Sequence, residues 1–235
     1  MARTVIVGDV HGCVDELSRL LDELGPGSDD RVYFVGDLIA RGPDSRGVLA
    51  LYRQVRARSV LGNHELRLLQ AHRAALTGGK RLRLSPPQYA VLRQLDDEDW
   101  ALLGALPLQL CLPEHDLCIV HAGLAPDVAL ELQDEWTLTH TRSLDASGRP
   151  SPRHDLELWA ARYERGPHVV FGHNSRAGLQ LAPHATGLDT GCVYGGSLSA
   201  LVLEAGESVP GDAEARRERV RSVAAARCYY AGSGR

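Results

Sequence analysis

The sequence predicts an α/β domain built on parallel strands, and two regularities along the chain predict it. Short apolar runs recur five times, and each ends beside a glycine with Asp, Asn or His at its carboxyl end. Between the first three runs, apolar residues recur every three or four positions, as they do in amphipathic helices. Strands that alternate with helices favour parallel pairing through crossover connections. The 235 residues, 44% of them hydrophobic, are enough for one substantial core.

The elements follow one another in a regular order. We predict strands at residues 4–7, 32–35, 59–61, 108–112, 117–120, 168–171 and 197–204, and helices at 14–24 and 45–55, with a short helix at 156–163. The strands at 108–112 and 117–120 are close enough to form a hairpin. Residues 65–106 have a helical pattern broken by Gly and Pro, and we expect a small cap at about 66–106. The remainder of 125–167 is expected to be rich in loops.

The domain organisation is predicted to be simple. We expect one domain over residues 1–205, followed by a charged tail at 206–235. Residues 212–221 are densely charged, and the chain ends in Ala-Gly-Ser-Gly-Arg. This composition is typical of a loosely attached helix or a disordered segment.

Polar side chains mark the carboxyl ends of the five strands that end beside glycine. They are Asp9, His11, Asp37, Asn63, His121 and His173. A single Gly-Asp or Gly-Asn pair is explained well enough as a turn, but five recurrences are not. Ligands collect outside the carboxyl ends of strands in α/β sheets, so we expect these side chains to meet. Two carboxylates, one amide and three imidazoles suit Mn, Fe or Zn, and six ligands suit two ions that share a carboxylate.

The motifs themselves point to a family. They are Gly8-Asp9-Val10-His11-Gly12, Gly36-Asp37 followed by Arg41-Gly42, Gly62-Asn63-His64-Glu65, His121-Ala122-Gly123 and Gly172-His173. In order and spacing they resemble the phosphoprotein-phosphatase branch of the calcineurin-like metallophosphoesterases. The resemblance implies a four-layer α-β-β-α sandwich. It also implies that Asp9 and His11 hold a first metal ion, that Asp37 bridges, and that Asn63, His121 and His173 hold a second.

The same resemblance implies a reaction. A hydroxide that bridges two divalent ions, with Mn preferred and Fe, Zn or Co as alternatives, would attack phosphorus in line. Arg41 is expected to bind phosphate oxygens, and His64 is implied as the general acid, with a structural histidine as the alternative. Arg142 is our candidate for a second catalytic and phosphate-binding arginine, followed by Arg162. Tyr194 is a candidate for substrate contact, with packing as the alternative.

Ala40 indicates a branch within the family. Protein serine/threonine phosphatases usually have Asp at this place, where it supports the histidine acid. The alanine, the Gly-Asp-Val-His-Gly-Cys start and the Asp189-Thr-Gly-Cys segment resemble the symmetrical diadenosine tetraphosphate hydrolases. These enzymes split a dinucleoside tetraphosphate into two nucleoside diphosphates. A tetraphosphate has a good leaving group and several negative charges, so it needs less help from an oriented acid, and the missing carboxylate relieves repulsion.

Two features leave alternatives open. Glu65 follows His64 as in protein phosphatases, where the hydrolases have Asp, and the loop between His121 and His173 is shorter than usual for those hydrolases. A protein serine/threonine phosphatase, or a broad-specificity phosphatase that acts on phosphoproteins and nucleotides, is therefore the second interpretation. A non-catalytic scaffold is a minor third, because every ligand position is filled.

Composition limits which binding partners and which cellular location we expect. The net charge of −4 gives no basic surface for duplex nucleic acid and no polybasic patch for membranes. No apolar run approaches the ~18–20 residues that cross a bilayer, and the first strand begins almost at once, which leaves no room for a signal peptide. We therefore expect a cytoplasmic enzyme whose five cysteines are reduced thiols. The sequence does not indicate an oligomeric state or the residues that would recognise a base.

Overall fold

The computed structural model describes residues 2–231. The strands are β1 (Thr4–Val7), β2 (Arg31–Phe34), β3 (Arg58–Ser59), β4 (Gln109–Leu112), β5 (Leu117–Val120), β6 (Ser143–Leu144), β7 (Pro150–Ser151), β8 (Glu157–Leu158), β9 (His168–Phe171), β10 (Gln180–Ala182), β11 (Ala185–Gly187), β12 (Ser197–Leu203) and β13 (Val220–Ala224). The helices are α1 (Val14–Leu24), α2 (Ser45–Gln54), α3 (Asn63–Thr77), α4 (Pro86–Gln94), α5 (Asp97–Gly104), α6 (Glu135–His140) and α7 (Ala213–Arg217). A short 3₁₀ turn stands within the helix predicted at 156–163.

Two five-stranded sheets form the middle of the molecule. The first has the order β13-β12-β1-β2-β3, and the second has the order β10-β11-β9-β5-β4. In the first sheet β1, β2 and β3 are parallel to one another, β12 pairs antiparallel with β1, and β13 pairs antiparallel with β12. In the second sheet β5, β9 and β11 are parallel. Strands β6, β7 and β8 form a third, small sheet beside them.

The alternation of side chains along β1 shows how the layers pack. Ile6 belongs to a core cluster that also contains Ile119 and Val170 of the second sheet, so it lies between the sheets. Val5 and Val7 point the other way, into a cluster that includes residues of α1, α2, α3 and α5. The outer face of the second sheet is buried against Trp159 and against Leu138 of α6. These layers confirm the predicted four-layer α-β-β-α sandwich.

The helical stretch predicted at 65–106 is present as α3, α4 and α5. Helix α3 packs against α4 and α5, and Leu68 and Leu103 are buried in the same core cluster as Val5. The helices are thus joined to the main domain through its core. A role as a cap over a site stays a prediction.

The expectation of a loosely attached tail after residue 205 is wrong for the described part of the tail. Strand β13 pairs with β12 over its whole length and completes the first sheet. Val223 is buried in the core, and the buried carboxylate of Glu16 accepts hydrogen bonds from the Ala226 N–H and the Tyr229 hydroxyl, both at 2.9 Å. Strand β13 was not predicted because it has few apolar side chains and overlaps the densely charged stretch 212–221. Residues 232–235 lie outside the described residues.

The expectation of five reduced cysteines is also wrong. Cys111 and Cys118 are directly opposite each other in the β4–β5 hairpin and form a disulfide. Cys13, Cys192 and Cys228 are free. The pairing depends on strand register, which the spacing of cysteines along the chain does not reveal. Over residues 2–231, no helix is long and apolar enough to cross a membrane.

Candidate active site

The candidate site lies where strands of both sheets reach their carboxyl ends. Strands β1, β2 and β3 of the first sheet lead into the segments that carry Asp9, His11, Asp37 and Asn63. Strands β5 and β9 of the second sheet lead directly into His121 and the segment of His173. The structure therefore brings together the six polar side chains that the sequence singled out. All but Asn63 are buried.

The backbone is strained where it presents these groups. His11, Asp37 and His173 have φ values of 51°, 49° and 67°, in the left-handed region that residues with a Cβ seldom adopt. Such strain persists only where the surroundings hold it, and it concentrates at functional sites. Gly172 must be a glycine because a Cβ there would lie 1.9 Å from Oδ1 of Asp9.

Asp37 is at the centre of the cluster. Its Oδ2 lies 3.5 Å from Nε2 of His11 and 3.5 Å from Nε2 of His121. Its Oδ1 accepts a hydrogen bond of 3.0 Å from the backbone N–H of His64. One carboxylate oxygen is thus shared between imidazoles that come from different sheets.

The remaining donors surround this carboxylate. Asn63 Oδ1 lies 3.1 Å from both His121 Nε2 and His173 Nδ1. The carboxylate of Asp9 accepts the backbone N–H of His173 at 3.0–3.1 Å. Nε2 of His173 is buried and has no hydrogen-bond partner among the described residues.

This arrangement fits two divalent cations. Donor atoms of His11, Asp37 and His64 lie within 4.8 Å of one another, and so do those of Asp37, His121 and His173. The first group contains His64 and not the predicted ligand Asp9, whereas the second contains the predicted ligands His121 and His173. The two groups share Asp37, as a bridging carboxylate requires. Oxygen and imidazole donors without a thiolate suit Mn, Fe or Zn.

The charges of the cluster are consistent with a bound cation. Burial lowers the pKa of both His11 and His173 well below the ordinary value, so both imidazoles are neutral, the form that binds metals. Burial, together with the carboxylates of Asp189 and Asp37, raises the pKa of Asp9. Burial alone would raise the pKa of Asp37 too, but the surrounding histidines, His121 first, and Arg41 lower it. Crowded carboxylates beside neutral imidazoles are stabilised by a cation.

Glu65 has a structural role that the sequence analysis missed. Its Oε2 accepts the backbone N–H groups of Asp37 at 2.9 Å and Gly62 at 3.0 Å, and its Oε1 accepts that of Ile39 at 3.1 Å. The buried side chain joins the start of α3 to the turn that carries Asp37. Burial and the nearby Asp37 raise its pKa to about 8.

A cleft of about 620 Å³ opens beside the cluster. This is within the usual range of about 300–1,000 Å³ for small-molecule sites. Asp37, Asn63 and His173 line it, and so do the following basic and aromatic residues: Arg41, Arg142, Arg176, His154, Tyr194 and Tyr230. A basic wall next to a cation site suits a phosphorylated ligand.

Two of the predicted arginines face this cleft. Nη1 of Arg41 lies 2.9 Å from Nε2 of His11. Arg142 donates from Nη1 to the Pro152 carbonyl at 3.2 Å, and its buried Nε has no partner among the described residues. Burial lowers the pKa of Arg142. Neither guanidinium forms an ion pair with a carboxylate within residues 2–231.

Arg162, the alternative candidate, does not line the cleft, which corrects that prediction. It follows a 3₁₀ turn whose Trp159 is buried, and its exposed guanidinium pairs with Glu157 at 3.2 Å. The neighbouring Trp159 occupies the interior, and Arg162 is directed to solvent.

The structure also places in the cleft residues to which the sequence analysis gave no role. These are Asp189, His154, Arg176 and Tyr230. The sequence could have indicated Asp189, because it begins the Asp-Thr-Gly-Cys segment that resembles the family. Its burial raises its pKa to about 6. The other three follow no motif, and only the folded chain brings them to the site.

Comparison with known proteins agrees with this geometry. The calcineurin-like phosphoesterase family matches residues 2–203. The chain is 33% identical over 257 residues to a symmetrical bis(5'-nucleosyl)-tetraphosphatase of Aromatoleum aromaticum, covering 84% of this chain and 92% of that one. It is 31% identical over 223 residues to the asymmetrical bis(5'-nucleosyl)-tetraphosphatase PrpE of Oceanobacillus iheyensis, covering 83% and 86%.

A solved structure extends the likeness to the fold. A crystal structure described as "a putative diadenosine tetraphosphatase" has a TM-score of 0.80, 33% sequence identity and coverage of 95% of this chain and 94% of that chain. Together with the family match over residues 2–203, this leaves no ambiguity at the level of the family. The chain belongs to the calcineurin-like phosphoesterases and is a metal-dependent hydrolase.

Proposed function

We propose that this enzyme hydrolyses dinucleoside tetraphosphates symmetrically, to two nucleoside diphosphates. Relatives that share about a third of its residues are named for tetraphosphatase activity. The cleft has room beyond the metal cluster and carries three arginines, which suits a substrate with several phosphates. The observation that carries the proposal is the environment of His64.

His64 lacks the carboxylate partner that the protein phosphatases are expected to provide. Its Nδ1 is buried and has no hydrogen-bond partner among the described residues, and position 40, where those enzymes have Asp, is a buried alanine. Burial lowers the pKa of His64 to about 4. A histidine without a carboxylate partner is a poor general acid for phosphoserine hydrolysis, because the serine alkoxide must be protonated as it leaves. It is adequate for a nucleoside diphosphate, which leaves as a more stable anion.

The side chains have separate roles in this proposal. Asp9 and His11 would hold one ion and Asn63, His121 and His173 the other, with Asp37 between them. When bound, two divalent ions, which we take to be Mn, would supply an activated water and neutralise phosphate charge. Arg41 and Arg142 bind the non-bridging oxygens of the phosphoryl group and stabilise the charge that develops there. His64 is the proposed general acid at the leaving oxygen; because burial lowers its pKa to about 4, it is mostly neutral near pH 7 and donates a proton only from the fraction of molecules in which it is protonated.

A second function has direct support from one comparison. The relative from Oceanobacillus iheyensis is named for the asymmetrical reaction. In the site described here, the asymmetrical reaction would require a different phosphorus of the polyphosphate chain to lie at the metal cluster. A phosphoprotein phosphatase is the third candidate. It is favoured by Glu65, which follows His64 as in the protein phosphatases.

Product analysis separates these functions. The Mn-loaded protein is incubated with diadenosine tetraphosphate, the nucleotides are separated by chromatography, and kcat/KM is compared with that for a phosphoserine peptide. We expect ADP as the sole nucleotide product and a much higher kcat/KM than for the peptide. AMP plus ATP would establish the asymmetrical reaction instead, and a preference for the peptide would refute both.

A further inference from the structure

The guanidinium of Arg41 contacts two aromatic rings in addition to the imidazole of His11. Its central carbon lies 5.5 Å from the ring centre of Tyr194 and 5.7 Å from that of Tyr230. The two rings are 6.2 Å apart and tilted by 59° to each other. Within residues 2–231, no carboxylate forms an ion pair with Arg41. Within the described residues, the guanidinium is therefore oriented by two kinds of contact: the hydrogen bond from Nη1 to Nε2 of His11 at 2.9 Å and the cation–π contacts with the two tyrosine rings.

The backbone under Arg41 is unusual as well. Ala40 and Arg41 have φ values of 72° and 70°, so two successive residues with a Cβ are in the left-handed region. The N–H of Ala40 donates to Oγ of Ser45 at 3.0 Å. A strained segment of this kind keeps its shape only through contacts with its surroundings. The direction of the Arg41 side chain thus depends on what packs around it.

Tyr230 comes from residues 225–230, which we call the C-terminal arm. The backbone N–H groups of Tyr229 and Tyr230 both donate to the carbonyl of Val193 at 3.0 Å. Glu16 binds the arm from its other side, through Ala226 and the Tyr229 hydroxyl. Because Val193 immediately precedes Tyr194, the arm fixes Tyr230 relative to the other ring that contacts Arg41. The arm is thus part of the wall of the cleft.

We propose that Tyr230 is a positioning residue that holds the Arg41 guanidinium in place for phosphate, a proposal that rests on the phosphate-binding role proposed above for Arg41. An aspartate could orient the arginine equally well, but it would occupy the N–H donors and neutralise the charge. An aromatic face orients the planar guanidinium and leaves available the edge donors that are not bonded to His11. The C-terminal arm thereby acts on the reaction without touching the reacting atoms.

The test measures hydrolysis of an aryl phosphate by Mn-loaded variants together with their affinity for inorganic phosphate, which has no ring on which Tyr230 could stack. Tyr230→Ala should lower kcat/KM about three- to tenfold, the effect of losing one cation–π contact, and Tyr230→Phe should keep most of the activity because the ring remains. In the Arg41→Ala background, Tyr230→Ala should have no further effect. Calorimetry should show a parallel loss of affinity for inorganic phosphate in Tyr230→Ala. Tyr89→Ala, at an exposed tyrosine of α4, is the matched control.

Three outcomes would overturn the proposal. One is a Tyr230→Ala variant as active as the Tyr89→Ala control. Another is an equal loss in the Arg41→Ala background, which would show that the ring acts independently of Arg41. The third is a loss for diadenosine tetraphosphate with none for the aryl phosphate, which would mean that the ring contacts the nucleoside. The aryl phosphate assay does not depend on the natural substrate, so a failure of the proposed function would appear separately, in the nucleotide products.

Discussion

Arg142 differs from Arg162 in what surrounds its guanidinium. Arg142 is half-buried at the wall of the cleft, and its buried Nε has no partner among the described residues, whereas Arg162 is exposed and paired with Glu157. Hydrogen bonds between charged groups contribute about 1.5–3 kcal/mol. Arg142→Ala should therefore lower kcat/KM for diadenosine tetraphosphate about ten- to hundredfold. Steady-state kinetics of the two alanine variants side by side would measure this.

Arg162→Ala serves as the control for that comparison. Removal of an exposed ion pair should change kcat/KM by no more than about twofold, because such pairs contribute little. Equal losses in both variants would mean that net charge, and not contact with phosphate, is responsible. A loss confined to Arg162→Ala would contradict the assignment of Arg142.

Ala40 offers a test of how the leaving group is matched to its acid. Ala40→Asp should raise the ratio of kcat/KM for a phosphoserine peptide to that for diadenosine tetraphosphate about tenfold. A carboxylate beside the site would support His64 as an acid and repel the polyphosphate. Ala40→Asn, which has the same shape without the charge, is the control. If tetraphosphate turnover in Ala40→Asp were unchanged or improved, the repulsion argument would be wrong.

The positions of individual donors were predictable to different degrees. Asp37 and His173 stand next to glycine at the end of an apolar run, a pattern that local sequence contains in full. Tyr230 and His154 have no such pattern, and they reach the cleft only through tertiary packing. Asp189 is intermediate, since its segment resembled the family but its burial beside Asp9 depends on the fold. Residues placed by local turns could be predicted, and those placed by packing could not.

The start of helix α3 is where one side chain organises several backbone groups. Glu65 accepts three buried N–H groups from two segments of the chain. Glu65→Ala would leave those donors unpaired, and we expect the free energy of unfolding to fall by about 2–4 kcal/mol. Glu65→Gln, which keeps one acceptor oxygen, should lose less. Urea unfolding followed by circular dichroism measures both.

The control for Glu65 is an exposed glutamate on another helix. Glu23→Ala, on α1, should change the free energy of unfolding by less than about 0.5 kcal/mol. A Glu65→Ala variant as stable as Glu23→Ala would show that the three hydrogen bonds contribute nothing to folding. A Glu65→Gln variant less stable than Glu65→Ala would contradict the role of Glu65 as an acceptor.

Elements with regular apolar periodicity were predicted well. Helix α1 has the predicted bounds, and the β4–β5 hairpin is present. Strand β13 was missed because only Val220 and Val223 mark it as apolar within a charged stretch, and its stability comes from pairing with β12. The Cys111–Cys118 bond was missed for a related reason, because register across a hairpin is a tertiary property. Features that depend on pairing with a strand elsewhere in the chain leave no signal in the local sequence.

The pH dependence of stability involves a histidine away from the metal cluster. Burial, followed by the charge of Arg216, lowers the pKa of His168 to about 3. In the unfolded chain this group takes up a proton below about pH 6.5, while in the folded protein it stays neutral. Stability is therefore complete above pH 6.5 and falls as the pH drops from 6.5 towards 3. Between pH 6.5 and 5 this one group should cost up to about 2 kcal/mol.

Replacement of His168 tests that linkage. His168→Gln keeps a partner for Oγ1 of Thr186, which lies 2.9 Å from Nε2 of His168, and it should flatten the fall in stability between pH 6.5 and 5. Urea unfolding of the metal-free protein at both pH values measures the slope. His184→Gln, at an exposed histidine whose charge is the least of the three causes of the lowered pKa of His168, should change the slope much less than His168→Gln does. An unchanged slope in His168→Gln would contradict the prediction.

The whole molecule is needed to form the candidate metal centre. Asp9, His11, Asp37 and Asn63 follow strands of the first sheet, and His121 and His173 follow strands of the second. The two sheets meet through the core between them, so the donors approach one another only when the sandwich is complete. Bound ions should in turn stabilise the packing of the two sheets. Asp37 is the donor that both groups share.

The most direct measurement is the number of metal ions bound per chain. Protein loaded with Mn and freed of excess metal would be examined by mass spectrometry of its metal content and by electron paramagnetic resonance. We predict two ions per chain with a spectrum of two magnetically coupled Mn ions, and loss of both the coupling and at least one ion in Asp37→Asn. One ion per chain in the wild type, or two ions unaffected by Asp37→Asn, would contradict a dinuclear centre bridged by Asp37.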